Sequence, residues 1–205
     1  MKKYGIMGGT FDPIHLGHMM IAEYIRDDLE LDQIIYIPTG NPPHKQGYID
    51  AEHRYNMVKL AIDENKNFSL SNIETAHKGY SYSVETIAKL KEDLDGKFYF
   101  IIGSDSLFQV RYWKNIEILS SLVEFACALR PGFEKADKIE SELEFLDKNY
   151  KTKIHIIKTP LYEISSTEIR KRILEGRTLK YVVPDKVIEY IKNNNLYERW
   201  IGWIK

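Results

Sequence analysis

Hydrophobic positions along the chain follow two patterns that alternate. Short runs rich in β-branched and aromatic residues predict strands, and apolar residues that recur three or four positions apart predict amphipathic helices, as at Ile21, Ile25 and Leu29. Strand and helix alternate regularly, which favours the α/β class: a doubly wound, Rossmann-like parallel sheet with helices on both faces. The predicted strands are Tyr4–Met7, Gln33–Ile37, Phe68–Ser71, Lys97–Gly103, Val123–Leu129 and Lys153–Ile157.

After the last predicted strand the pattern is helical only. It predicts a small C-terminal helical cap, about 161–205, on an α/β core of about 1–160. No repeat, low-complexity tract or linker rich in proline, glycine or serine interrupts the chain, so residues 1–205 are expected to form one domain. The predicted helices of the cap are Ser165–Glu175, Asp185–Lys192 and Leu196–Trp203.

Composition and charge exclude several classes of protein. The chain has 29 Lys and Arg residues against 30 Asp and Glu, a net charge of −1, so a broadly cationic nucleic-acid binder is excluded and any phosphate binding must come from a few placed groups. The single cysteine, Cys127, cannot form an internal disulfide, and no apolar run is long enough for a signal peptide or a membrane span. We therefore expect a protein of the reducing cytoplasm that binds neither nucleic acid nor a membrane.

The first predicted strand is followed by residues 8–18, whose sequence is GGTFDPIHLGH. Two glycines after a strand let backbone N–H groups approach a phosphate, and the start of the next helix favours an anion. The spacing does not match a dinucleotide-binding glycine loop, and a Walker lysine is lacking, which argues against a Rossmann dehydrogenase and a P-loop NTPase. His15 and His18 could be metal ligands or structural side chains, but a third metal ligand is not evident. Phosphate-facing histidines explain the glycines as well, so we favour that interpretation.

This segment resembles the signature of the HxGH nucleotidyltransferase superfamily, whose members transfer a nucleotidyl group from a triphosphate and release pyrophosphate. The resemblance implies that no side chain acts as a nucleophile: the acceptor phosphate attacks the α-phosphorus, and His15 and His18 stabilise the charge that develops there. Such a mechanism fits phosphoryl transfer, which depends mostly on positioning and electrostatics. The resemblance also implies that the ATP-binding residues of this loop are Gly8, Gly9, Thr10, Phe11, His15 and His18.

A second candidate segment is residues 164–170, with the sequence ISSTEIR. Ser165 and Glu168 match a capping box, so an ordinary helix start explains much of it. That explanation leaves out Arg170, a cation near the positive end of a helix, where it is disfavoured unless an anion is close. The segment also resembles the second signature of the superfamily. This resemblance implies that Ser166, Thr167 and Arg170 face the β- and γ-phosphates of ATP.

Segments in the middle of the chain narrow the acceptor. Residues 38–45 (PTGNPPHK) form a rigid, partly cationic loop, although a turn alone would explain them. Residues 79–83 (GYSYS) precede a helix, for which an N-cap at Ser83 is the simpler interpretation. Residues 103–105 (GSD) end the fourth predicted strand, where an acidic side chain can bind ribose hydroxyls. Trp113 follows, and a lone tryptophan is more often a core residue than a stacking platform.

Together with residues 130–132 (RPG) and the closing residues 181–197, these segments resemble the bacterial nicotinate-nucleotide adenylyltransferases, which join nicotinate mononucleotide to AMP from ATP. The resemblance extends from about Lys3 to Tyr197. It implies that Gly103 and Asp105 contact the adenylate ribose and that Trp113 stacks on the pyridine ring. The residues implied to bind nicotinate mononucleotide are Asn41, His44, Lys45, Ser83, Trp113 and Arg130.

Cofactor and assembly are predicted from weaker signals. No carboxylate cluster suggests a metal held by the protein, so we expect Mg²⁺ to be carried by ATP with most of its waters. The apolar tail Glu198–Lys205, with Trp200 and Trp203, would either pack on the core or contact a second copy in a homo-oligomer. Three other functions stay open: a phosphopantetheine adenylyltransferase, whose chains are shorter and lack the Trp113 and Pro-Pro-His-Lys features; a preference for nicotinamide mononucleotide; and an ATP-sensing module without turnover.

Overall fold

The structure is a computed structural model that describes residues 1–41, 47–76, 79–129, 136–160 and 163–197. Its strands are β1 (Lys3–Gly9), β2 (Gln33–Pro38), β3 (Phe68–Leu70), β4 (Lys97–Gly103), β5 (Glu124–Leu129) and β6 (Ile154–Lys158). Its α-helices are α1 (Leu16–Asp28), α2 (Ala51–Ile62), α3 (Ser83–Asp93), α4 (Ser104–Leu107), α5 (Ile116–Leu122), α6 (Ala136–Tyr150), α7 (Ser166–Leu174) and α8 (Asp185–Asn193), and a 3₁₀ turn covers Val110–Tyr112.

The strands form one parallel sheet in the order β3-β2-β1-β4-β5-β6. This order confirms the predicted doubly wound α/β fold, and each strand lies within two residues of its predicted bounds. The order of the strands reverses between β1 and β4, and in such sheets ligands bind in the crevice at the carboxyl ends of the strands flanking that point. A site is therefore expected among the loops after β1, β2 and β4.

Side chains of alternate strand residues feed two separate cores, one on each face of the sheet. Met7 packs in the first core with residues of α1, α2, α7 and α8. Ile6 packs in the second, with residues of α3, α4, α5 and α6. Cys127 is buried in this second core, and burial raises the pKa of its thiol to about 12, so it is an inert core residue. The predicted helices on both faces are confirmed.

The C-terminal part differs from its prediction after α8. Leu196 and Tyr197 lie in a turn rather than in a helix, because Asn195 and Tyr197 adopt left-handed backbone angles (φ 49° and 71°) that interrupt a right-handed helix. The predicted helix Leu196–Trp203 therefore does not begin at Leu196. The tail Glu198–Lys205 lies outside the described residues. Within the described ranges, no helix is both long enough and apolar enough to cross a membrane.

Candidate active site

The first loop joins the end of β1 to the start of α1 at the carboxyl edge of the sheet. His15 precedes α1 in an extended backbone conformation, and its ring stacks on that of His18, with the centroids 3.7 Å apart. The backbone N–H of His15 donates to Nδ1 of His18 (3.3 Å). A neutral imidazole that accepts at Nδ1 carries its proton on Nε2, so His18 is an Nε2–H donor at the positive end of α1.

Two small structural features hold the histidine pair in place. A Cβ atom at Gly17 would lie 3.0 Å from Nδ1 of His15, so the glycine lets that ring lie against the first turn of the helix. Phe11, which has φ 50°, is buried and meets the ring of His18 edge to face at a centroid distance of 5.0 Å. The loop thus presents a fixed pair of imidazoles at a helix N-terminus, an arrangement suited to an anion.

The second predicted motif lies directly against this loop. Ser166 Oγ donates to the backbone carbonyl of Pro13 (2.9 Å), and Nη1 of Arg170 donates to that of Asp12 (2.7 Å). Nη2 of Arg170 donates to Oγ1 of Thr167 (3.1 Å). The Oγ of Ser165 accepts from the backbone N–H of Glu168 (3.2 Å), as the predicted N-cap requires. Segments more than 150 residues apart in sequence therefore build one cationic wall of the crevice.

The loops after β2 and before α3 lie together beside the first loop. Asn41 and Tyr80 form a parallel β-bridge, and the Oδ1 of Asn41 accepts from the Tyr48 hydroxyl (2.8 Å). A Cβ atom on Gly40 would overlap the backbone carbonyl oxygen of Glu74, so only glycine allows this close approach. The two predicted acceptor segments are thus adjacent in space.

Residues at the end of β4 border open space. A Cβ atom added to Gly103 would have no atom within 4 Å, and Asp105 is exposed in the following helix. Trp113 is half-buried, with its ring edge to face against Phe100 (5.5 Å) and Phe125 (6.2 Å). Part of the indole therefore belongs to the core, and stacking of its remaining surface on a ligand stays a prediction.

Comparisons with known proteins bear directly on this crevice. The sequence pattern of the cytidylyltransferase-like family matches residues 6–172. A relative from Thermoanaerobacter sp. (strain X514), named "Probable nicotinate-nucleotide adenylyltransferase", is 41% identical over 201 residues, covering 96% of this chain and 95% of the relative. The chain belongs to the nicotinate-nucleotide adenylyltransferase family.

Other members of the nicotinate-nucleotide adenylyltransferase family agree with this assignment. One from Clostridium perfringens (strain 13 / Type A), which carries the same name, is 43% identical over 202 residues, covering 97% of this chain and all of the relative. The solved structure of nicotinic acid mononucleotide adenylyltransferase from Plasmodium falciparum complexed with NaAD is 25% identical, with a TM-score of 0.79 over 97% of this chain and 98% of that one. The fold and the family are therefore shown together.

In this adenylyltransferase family member, one predicted helix cap is wrong and three predicted site residues lie outside the described residues. The N-cap of α3 is Tyr82 rather than Ser83: Tyr82 has an extended backbone, and its carbonyl accepts the first helical hydrogen bond, from the N–H of Thr86 (3.1 Å). Ser83 is instead the first helical residue. His44, Lys45 and Arg130 lie outside the described residues.

Sequence reasoning missed Arg54, which joins the two sides of the site. This fully buried residue of α2 donates to the backbone carbonyls of Thr10 (2.9 Å), Thr39 (2.6 Å), Gly40 (3.0 Å) and Ile49 (3.0 Å). Four carbonyls and the charge of Asp12 compensate the buried guanidinium, whose pKa burial lowers. A signal was present in the sequence, because Arg54 lies three and four positions before the buried Met57 and Val58.

Sequence reasoning also missed Asp12 and Tyr197 as a pair. The carboxylate of Asp12 is buried and accepts at Oδ1 from the Tyr197 hydroxyl (2.9 Å), and its Oδ2 lies 3.6 Å from Nη1 of Arg170. Burial raises the pKa of Asp12, and the hydrogen bond from Tyr197 and the charge of Arg170 oppose that rise. No local pattern could predict this contact, which joins residues 185 positions apart.

The described residues contain no group of three or more His, Cys, Asp and Glu side chains arranged to hold a metal ion. The roles predicted for individual residues toward ATP, Mg²⁺ and nicotinate mononucleotide remain predictions. The structure does bring most of the residues named for them to the carboxyl edge of the sheet: those of the first loop, Asn41, Gly103, Asp105, Ser166, Thr167 and Arg170.

Proposed function

We propose that this protein transfers the adenylyl group of ATP to nicotinate mononucleotide, giving nicotinate adenine dinucleotide and pyrophosphate, a reaction of NAD biosynthesis. The observation that carries the proposal is the stacked pair of His15 and His18 at the N-terminus of α1, with Arg170 held against the same loop. The names of the relatives and the NaAD in the solved structure from Plasmodium falciparum support the choice of acceptor.

The chemistry requires no nucleophilic side chain. A phosphate oxygen of nicotinate mononucleotide attacks the α-phosphorus of ATP, the new P–O bond forms, and the bond between the α-phosphorus and the bridging oxygen breaks to release pyrophosphate. Negative charge builds up on the phosphates as this happens. The Nε2–H of His18, the ring of His15 and the helix N-terminus stabilise that charge from fixed positions, which is how enzymes accelerate phosphoryl transfer.

The second motif holds the leaving group in this proposal. Ser166, Thr167 and Arg170 lie at the start of α7, where the guanidinium and the helix N-terminus together attract the β- and γ-phosphates. Gly8, Gly9 and Thr10 let the backbone approach the triphosphate, and Phe11 supports the ring of His18. Mg²⁺ bound to ATP supplies further neutralisation of the phosphates.

The acceptor occupies the other side of the crevice. Asn41, Ser83 and Trp113 hold nicotinate mononucleotide, assisted by His44, Lys45 and Arg130, while Gly103 and Asp105 contact the adenylate ribose. Support comes from the adjacency of the loops of Asn41 and Tyr80 and from the open space at Gly103. We also infer that the reaction takes place in the cytoplasm, since the only cysteine is an unpaired core residue.

One experiment tests the proposed function and its nearest alternatives. Pyrophosphate release is measured with MgATP and, separately, nicotinate mononucleotide, nicotinamide mononucleotide and phosphopantetheine. We expect the highest kcat/KM with nicotinate mononucleotide, and nicotinate adenine dinucleotide as the product. Faster turnover of either other acceptor would reassign the substrate. If no pyrophosphate is released with any of the three acceptors, the protein is an ATP-binding module without turnover.

A further inference from the structure

Tyr197 occupies an unusual place for a residue of the C-terminal part of the chain. It follows α8 in a turn with a left-handed backbone, and its side chain is buried with the hydroxyl on Asp12, inside the first loop. A non-glycine residue in that conformation carries a backbone strain that the surrounding contacts must offset. The turn and the left-handed backbone conformation of Tyr197 together direct its phenol into the first loop.

Asp12 stands between this tyrosine and the arginine of the second motif. The Tyr197 hydroxyl holds Oδ1 at 2.9 Å, whereas Oδ2 lies 3.6 Å from Nη1 of Arg170, too far for a hydrogen bond. The same Nη1 instead donates to the backbone carbonyl of Asp12 at 2.7 Å. The carboxylate and the guanidinium therefore form an ion pair without a direct hydrogen bond, and the Tyr197 hydroxyl and the backbone N–H of Ile49 hold the carboxylate in that position.

A carboxylate that closes on Arg170 would compete with the phosphates of ATP. Carboxylate and phosphate both bind a guanidinium through paired, charge-assisted hydrogen bonds, and such bonds are strong in a partly buried site. We propose that Tyr197 is a positioning residue: it restrains the Asp12 carboxylate, keeps its ion pair with Arg170 from tightening into direct hydrogen bonds, and so favours binding of the triphosphate by Arg170. This inference rests on the proposed function, because it takes ATP as the ligand of Arg170.

The test removes only the hydroxyl. In Tyr197→Phe the carboxylate loses its hydrogen bond from the phenol and keeps the one from the Ile49 backbone. We expect the KM for ATP to rise about fivefold, the KM for the acceptor to stay within about twofold, and kcat to change little. The matched control is Tyr190→Phe. The hydroxyl of Tyr190 also joins the C-terminal part to the rest of the protein, but through His53 (3.0 Å) and Asn56 (3.2 Å) on α2, so both KM values should stay at wild-type levels.

A rescue experiment separates restraint from a merely structural role. An amide cannot form an ion pair with Arg170, so Asp12→Asn should remove the competition. We expect the double variant Asp12→Asn/Tyr197→Phe to have a KM for ATP within about twofold of that of Asp12→Asn alone. If the double variant binds ATP no better than Tyr197→Phe, or if Tyr197→Phe raises both KM values equally, the inference is wrong. Asp12→Asn alone also tests the idea should Tyr197→Phe not fold, since a tenfold rise in its KM for ATP would contradict it.

A binding measurement distinguishes this inference from the proposed function. Calorimetric titration with the Mg²⁺ complex of an ATP analogue bearing a methylene bridge between the α- and β-phosphates requires no turnover. If the wild type binds the analogue but makes no dinucleotide, the proposed function fails and the weaker binding expected for Tyr197→Phe still tests the restraint. If both proteins bind it equally, the restraint fails and the proposed function stands.

Discussion

His15 and His18 lie face to face because the backbone N–H of His15 donates to Nδ1 of His18, and because Gly17 leaves room for the His15 ring. The same hydrogen bond fixes the proton of a neutral His18 on Nε2. The two residues therefore act differently, since the backbone of His15 orients the ring of His18 and that ring offers a donor at the start of α1.

The first prediction concerns that donor. His18→Ala should lower kcat by about 10²–10³, since it removes one preorganised donor to the transition state. Pyrophosphate release under saturating substrates measures the loss. His53→Ala is the matched control, because His53 lies on α2 and contacts Tyr190 instead of the first loop. Wild-type turnover in His18→Ala, or an equal loss in the control, would contradict the mechanism.

A second prediction concerns Arg170. Arg170→Ala should raise the KM for ATP more than the KM for the acceptor, because its guanidinium lies against the first loop through the Asp12 carbonyl. Initial rates with each substrate varied in turn give both constants. The reverse pattern would place Arg170 on the acceptor side of the crevice.

A third prediction uses the open space at the end of β4. Gly103→Ala should change the free energy of unfolding by less than about 0.5 kcal/mol, because the added methyl meets no atom, yet it should raise the KM for ATP. Gly96→Ala is the comparison: its Cβ atom would lie 2.6 Å from the Lys2 carbonyl, so stability should fall with no selective effect on ATP. An unchanged KM in Gly103→Ala would place the ribose elsewhere.

At the scale of elements, loops that form a site are held by helices that pack elsewhere. Arg54 extends from α2 to carbonyls of the loops after β1 and β2, and Ser166 extends from α7 to the carbonyl of Pro13. The loop carbonyls at the edge of the sheet have no strand partner, so side chains from these helices satisfy them. These side chains therefore help to fix the shape of the loops.

A fourth prediction measures this support. Arg54→Met should lower the free energy of unfolding by about 2–4 kcal/mol, because it leaves several buried carbonyls without donors. Urea unfolding followed by circular dichroism gives the value. Arg26→Met serves as control: Arg26 pairs with Glu23 near the surface of α1, and its loss should cost less than about 1 kcal/mol. Equal losses in both variants would contradict a special role for Arg54.

At the scale of the whole molecule, the sequence predicts the strands and the two cores better than it predicts the helix ends. Short apolar runs predict the six strands, because helices cover both faces of a parallel sheet and each strand is therefore apolar on both of its sides. The two segments proposed to bind phosphate are also recognisable, because glycines, histidines and a helix start are adjacent in the chain. Helix caps and ends are harder to predict, because tyrosine is uncommon both at an N-cap, as at Tyr82, and in a left-handed turn, as at Tyr197.

Contacts between distant segments could not be predicted in the same way. Arg54 and Tyr197 act on loops far from them in sequence, and their own neighbours along the chain show only an amphipathic helix and a polar turn. The net charge of −1 could not locate the site, because it sums over the whole chain. The structure places Arg54, Arg170 and two helix N-termini at one edge of the sheet, where their positive potential adds.

A fifth prediction concerns the free energy of unfolding of the whole protein when a ligand is bound. If the crevice is already formed, a ligand that binds it should stabilise the whole protein, and nicotinate adenine dinucleotide at one hundred times its Kd should add about 2.7 kcal/mol to the free energy of unfolding. Thermal melts across a concentration series of the dinucleotide measure this gain. Adenosine at the same concentrations should give a smaller shift, since it lacks the phosphates; equal shifts would argue against the phosphate contacts.

The contact between Asp12 and Tyr197 has a consequence for synthesis of the protein in the cell. The ribosome must add 185 further residues after Asp12 before its partner exists, and Ser166 and Arg170 also emerge late. A nascent chain that carries the complete first loop is therefore still without the wall that holds it. Synthesis must therefore pass Tyr197 before the first loop can make all of these contacts, so a chain interrupted earlier lacks the assembled site.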